Sequence, residues 1–268
     1  MGKNNKSIEF KKERLGEVRK NKEVLGNYKM KIIEYNKAND IVVEFQDRYK
    51  AKVRTRYSHF KNGDVKNPCH PSIFNIGYIG EGKFKSRDEK GNKTIEYIVW
   101  RNMIQRCYDP YTINKHLTYK DCIVCEEWHN YQNFAKWYEE NYYECNNEEM
   151  HLDKDILIKG NKIYSPTTCI FVPNRINILF VKNDKNRGEY PIGVHWRNDV
   201  KKFVARCSTS NKDKKRIHLG LYDTVNEAFY CYKQFKESYI KQVADEYKDL
   251  IPKELYDAMY NYEVEIND

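Results

Sequence analysis

The chain has 268 residues, 32% charged and 40% hydrophobic, with aromatics at 14% and Tyr far ahead of Phe and Trp. That is too rich in core formers for a disordered chain, and the absence of any run near the roughly 18 apolar residues of a membrane span argues against a transmembrane helix. A formal charge of +9 points to a polyanionic partner, because Lys and Arg displace the counterions condensed on a phosphate backbone.

The charge is unevenly placed. Residues 195–218 carry eight Lys/Arg against two Asp, whereas residues 120–155 carry three Lys against ten Asp/Glu. The first thirty residues are rich in Lys and Asn and hold no apolar segment of signal-peptide length, so a cytoplasmic protein is expected, with its eight Cys mostly reduced thiols.

Residues 1–24 read as a basic arm, floppy or helical. From Tyr28 the pattern turns to period two in KMKIIEY, NDIVVEF and RYKAKVRTRYSHF, which predicts a small antiparallel β module ending near residue 66. Lys52, Arg54 and Arg56 alternate with apolar neighbours there and read as a solvated outer face. Two Pro and a Gly in KNGDVKNPCHPS then mark residues 67–92 as a linker.

The central domain is expected over residues 93–184. Lys93–Arg106 would be a helix with Ile95, Ile98, Val99, Met103 and Ile104 on its apolar face, broken by the following Tyr-Asp-Pro. A second helix is expected over 130–141 on a stripe of Phe134, Trp137 and Tyr138. MHLDKDIL then reads as a strand, KGN as a turn, TCIFV as a second strand and NRINILF as a helix start. On a strand, Asp153, Asp155 and His151 would share one face, three oxygen or nitrogen donors suited to a divalent cation. Residues 185–268 predict three short strands over 191–221, then a long helix from Thr224 to about Tyr247 with Ala228, Phe229, Tyr232, Phe235 and Tyr239 on its inner face, and a short closing helix. The free face of that sheet interleaves cations with rings (HWR, KKF, Arg206 and KKRIH), a composition suited to a DNA groove or to an ordinary solvated surface.

GVHWRNDVKKFVARC followed by RIHLGLYDTVNEAFYCYKQF resembles the APETALA/ethylene-response-factor DNA-binding domain across roughly residues 188–240. The resemblance implies a sheet reading the major groove of double-stranded DNA through His195, Arg197, Lys202, Phe203, Arg206 and His218, with Lys215 and Arg216 in the basic run beside them. His195 stands where that family prefers Arg, and Phe203 where it prefers Trp.

Upstream, YIVWRNMIQRCYDP, YKDCIVCEEWHNYQNFAKWY and LDKD…YSPTTCIFV, in this order over about 97–180, resemble phage-type HNH endonucleases. The resemblance implies a ββα-metal site using Mg²⁺ or another divalent cation held by Asp153, Asp155 and Asn177. Lys154 stands where that family carries its His base, and Thr168 falls near its middle Asn, so His151 or Lys154 would activate water. Cys122 and Cys125 have zinc-ligand spacing, with Cys107 and Cys169 in neighbouring motifs. If the four converge they would hold a structural zinc; otherwise they are small buried thiols. The sequence thus leads to an α+β chain with a small N-terminal β module, a central ββα-metal segment with flanking helices, and a C-terminal three-stranded antiparallel sheet plus one helix. Its expected function is metal-dependent DNA cleavage addressed by that sheet. The rival is a DNA-binding regulator or inhibitor that keeps a degenerate HNH scaffold.

Overall fold

Alternating burial builds the first sheet. In the computed structural model, which describes residues 13–181, 189–209 and 216–268, β1 (Val18–Lys20), β2 (Lys29–Lys37), β3 (Asp40–Phe45) and β4 (Lys52–Thr55) pair in that order, each antiparallel to the next. Met30, Ile32, Ile41, Val43 and Phe45 are buried on one face, as period two requires. The stretch read as continuing the last strand instead leaves it: Tyr57–Asn62 forms helix α1, whose Phe60 is fully buried in the core of the sheet. A helical turn brings the Tyr57 and Phe60 rings together at 6.1 Å, which an extended chain would send to opposite faces.

Residues 67–92, expected to be a linker, are packed. Buried Asn67 donates to Asp47 at 2.6 Å and accepts from the Cys69 amide at 2.9 Å. Buried Gln132 donates to the carbonyls of Ile79 and Phe84 and accepts from the Phe84 amide. Buried amides need such partners, and here the partners fix a loop that Pro and Gly content alone marked as free.

Helix α2 (Ile95–Tyr108) ends before Pro110, which opens α3 (Pro110–Lys115) under a cap from the Asp109 side chain. The face that α2 buries is Tyr97, Trp100, Met103, Ile104 and Cys107, while Ile95 is 65% exposed and Ile98 41%. The expected face is therefore rotated. Trp100 and Tyr97 bury more area than Ile, and Trp100 also donates to the Trp128 carbonyl at 2.7 Å. After the short strand β5 (Ile123–Val124), helix α4 (Tyr131–Asn141) contributes Tyr131, Phe134 and Ala135 to this core.

The chain divides into two units between Glu140 and Asn141, inside the span read as one central domain. The second unit holds β6 (Met150–Asp153), β7 (Ile163–Tyr164), β8 (Ile170–Pro173), α5 (Asn174–Phe180), β9 (Val194–Arg197), β10 (Lys202–Ser208), β11 (Arg216–Tyr222), α6 (Val225–Tyr247) and α7 (Lys253–Tyr260). The reason for the boundary lies in α6. Its 23 residues span about 35 Å, more than a three-stranded sheet covers. Ala228 and Tyr232 pack on Val194, Ala205 and Cys207 of the sheet. Ile240, Val243 and Ala244, farther along, share a second core with Ile170, Val172, Ile176, Leu179, Leu255 and Met259. One helix thus binds the hairpin and the sheet into one body. A Thr224–Glu227 capping box opens it. No helix of the described residues is long and apolar enough to cross a membrane.

Candidate functional site

Strand register sorts the basic residues of the C-terminal sheet. The order is β9-β10-β11, antiparallel throughout, with Lys202 opposite Arg197, Val204 opposite His195 and Ala205 opposite Val194. On the other side Arg206 lies opposite His218 and Ser208 opposite Arg216, after an irregularity between Ala205 and Arg206. Val194, Ala205 and Cys207 are buried beneath α6. Alternation therefore sends Lys202, Val204, Arg206 and Ser208, with cross-strand neighbours His195, Arg197, His218 and Arg216, to the face away from the helix. Six of the eight residues expected to contact DNA share that face.

Phe203 does not. It lies one residue from Lys202 and so on the opposite face, partly packed against the sheet–helix core, with its ring 4.8 Å from Trp196 and 5.2 Å from Tyr190. Strand parity forbids Lys202 and Phe203 from sharing a surface, whatever the motif suggests. Lys215 lies outside the described residues.

The cations of the outer face divide into two groups. Arg197 is paired with Asp199 and Lys202 with Asp223, at 2.6 Å for the latter. Arg206 and Arg216 have no carboxylate partner among the described residues. His195 sits among them: its partial burial, and then the charges of Arg206, Arg197, His218 and Arg216, hold its pKa below the ordinary histidine range. The centre of this face thus repels added positive charge and attracts anions.

The second candidate lies on β6, β8 and α5. β6 pairs antiparallel with β8, His151 opposite Val172 and Asp153 opposite Ile170, and the chain passes directly into α5. His151 Nε2 lies 3.1 Å from Asn174 Oδ1 at the start of the helix. Asn177 is one turn further along α5, on the side of Asn174. The motif reading passed over Asn174, whose only signal was an amide directly after Pro173, where a helix must begin.

Asp155 is not on the strand as expected, because β6 stops at Asp153. The chain turns there: Asp153 Oδ1 accepts from the amides of Asp155 at 2.8 Å and Ile156 at 2.7 Å. This turn still keeps the two carboxyls close. Burial first, and the neighbouring Asp155 second, push the Asp153 pKa up to about 6 against the pull of those amides. Lys154 is buried, and its ammonium lies 3.2 Å from Asp155 Oδ2. It serves there as a counter-charge, a poor position from which to act as a base. Asn161 holds the loop by donating to the carbonyls of Lys154 and Ile163, and Thr168 donates to the Ile163 carbonyl. Two adjacent carboxyls, one of them countered by Lys154, plus amide oxygens are the donor types that a hard divalent cation takes.

The eight cysteines are free thiols. Cys122 donates to the Thr118 carbonyl at 3.7 Å, and burial raises the Cys125 pKa. Among the described residues no group of three or more His, Cys, Asp or Glu gathers as a metal cluster. No protein-family model matches this chain, and no curated protein or solved structure does either.

Proposed function

We propose that the protein binds double-stranded DNA with the outer face of β9–β11 and cleaves it as an HNH-type endonuclease of the homing kind, through a divalent-cation site on β6 and α5. The observation that carries this reading is the register that brings His195, Arg197, Lys202, Arg206, Arg216 and His218 onto one face. Arg206 and Arg216 would meet phosphates or guanine edges, where a guanidinium fork makes two hydrogen bonds at once. Arg197 and Lys202 would exchange Asp199 and Asp223 for phosphates, which steepens the salt dependence of binding.

At the hairpin, Asp153, Asp155 and Asn177 would hold Mg²⁺ or a similar ion, which when bound supplies positive charge to a leaving oxygen. His151 supplies the base. With Asn174 presenting its carbonyl oxygen, the neutral ring donates from Nε2 and keeps its lone pair on Nδ1, ready to take a proton from water. Asp153 must be ionised to hold a cation, so activity should rise with pH through about 6.

The test is incubation of supercoiled plasmid with Mg²⁺ or Mn²⁺, comparing the unaltered chain with Asp153→Ala and His151→Ala. Nicking that both substitutions abolish supports cleavage, whereas plasmid that is retarded on a gel and never cut refutes it. One observation favours the second reading, a DNA-binding protein without nuclease activity: the Lys154 ammonium already neutralises Asp155 from within. Under that reading, metal ions leave both plasmid topology and the thermal stability of the protein unchanged.

A further inference from the structure

A cavity of about 510 Å³ opens at one end of the C-terminal sheet, within the range of about 300–1,000 Å³ usual for small-molecule sites. It exists because β9 is shorter than β10. Pairing between them stops at Ala205 opposite Val194, the Arg206 amide reaches the Gly193 carbonyl at 2.8 Å, and the rest of β10 borders the cavity instead of a strand.

Three cations without a carboxylate partner among the described residues line this space: Arg206 and Arg216 from the strands, and Lys236 from α6. His195 lines it as well. Lys236 is half-buried, and desolvation lowers its pKa, opposed by the nearby Cys207. Among the described residues that line the cavity, the acidic side chain is Asp268, 2.9 Å from Lys159 Nζ. Tyr190 and Tyr262 supply aromatic walls. A half-buried cation with no carboxylate partner is favoured by an anion that joins it in the cavity.

We propose that this cavity is a nucleotide-phosphate site, in which Lys236, Arg206 and Arg216 grip a phosphate while the tyrosines pack against the attached sugar or base. The chemistry is shared by two sources, a phosphate of a DNA strand and a free nucleotide. For the first source the inference rests on the DNA-binding reading; for the second it stands alone.

The experiment titrates the intact chain with dAMP, and separately with a duplex oligonucleotide, by calorimetry. Lys236→Met and Arg216→Gln are compared with Arg54→Gln, a control on the sheet of β1–β4. Each cavity variant should weaken dAMP binding about ten-fold, the usual effect of losing one charged hydrogen bond, while Arg54→Gln leaves it unchanged. Duplex binding that falls in parallel in Lys236→Met, which is not on the outer face, assigns the site to strand phosphate; duplex binding that is unaffected by Lys236→Met assigns it to free nucleotide. If the duplex fails to bind the unaltered chain but dAMP binds, the DNA-binding reading falls and the cavity stands. The proposal is overturned if dAMP does not bind, or if it binds both cavity variants as it does the unaltered chain. Arg216 is exposed, so its replacement reports on the site even if Lys236→Met fails to fold.

Discussion

The sheet of β1–β4 sets Lys31, Glu44 and Lys52 side by side across three strands, and Arg54 reaches Asp40 at 3.3 Å and Glu34 at 3.8 Å. The sheet of β9–β11 sets Arg206 beside His218, and Ser208 beside Arg216, with no carboxylate among them. Both lie in basic stretches; residues 1–66 alone carry 18 Lys/Arg against nine Asp/Glu. One surface neutralises itself; on the other Arg197 and Lys202 are paired, while Arg206 and Arg216 have no carboxylate partner among the described residues. Regional net charge therefore says little about where an anion docks, and cross-strand neighbours say a good deal.

The sharpest way to break this comparison is charge reversal in both sheets. Arg206→Glu with Arg216→Glu should weaken duplex binding at least about 100-fold and lower the slope of log affinity against log salt by about two, measured by fluorescence anisotropy over a salt series. Lys31→Glu with Lys52→Glu should change affinity by less than about threefold. Equal losses would mean that bulk charge, not register, governs binding.

Backbone geometry offers a second contrast. Gly193, at the entrance to β9, has φ +78°, and a Cβ there would lie 2.1 Å from the Tyr232 ring, so Gly193→Ala should cost roughly 2–3 kcal/mol in urea unfolding. Gly16, before β1, has φ +88°, but a Cβ there would meet only the flexible Lys31 side chain at 3.9 Å, so Gly16→Ala should cost only about 1 kcal/mol.

Titration extends the contrast to the hairpin. The Asp153 pKa is raised on folding, so its contribution to stability is full below the ordinary Asp value and is lost as pH rises through about 6. Asp153→Asn should therefore gain about 1 kcal/mol near pH 8, and nothing near pH 4, in thermal melts. Mg²⁺ should shift the profile of the unaltered chain and not that of the variant. The smallest effect belongs to His195, whose pKa is depressed by partial burial first and by the surrounding cations second. A bound phosphate would reverse that field, so binding should take up protons and tighten about threefold from pH 7.5 to 6, a trend that His195→Gln should abolish.

Much of this was legible in the chain. KMKIIEY and NDIVVEF alternate strictly enough to name their buried face, and Ala228, Phe229, Tyr232 and Phe235 recur at helical spacing on α6. NRINILF opens α5 where read, since Pro173 precedes it and its apolar residues are spaced for a helix. Period two also sufficed to part Phe203 from Lys202, although the motif resemblance joined them. Other features had no local signature. The face of α2 was settled by Trp100 finding the Trp128 carbonyl, 28 residues away. Gln132 fixes a loop some fifty residues upstream. Lys236 looks like any cation on a long helix until the short β9 leaves a cavity beside it.

The sequence by itself determined which segments extend and which coil, and which side of each strand turns inward, because those follow from spacings of two and about 3.6 residues along the chain. Only the tertiary structure decided which charges found distant partners: Lys202 against Asp223, Lys159 against Asp268, and Arg206, Arg216 and Lys236 with no carboxylate among the described residues. An ion pair forms over about 4 Å in space, and no pattern along one strand or helix fixes what a neighbouring element brings within that distance.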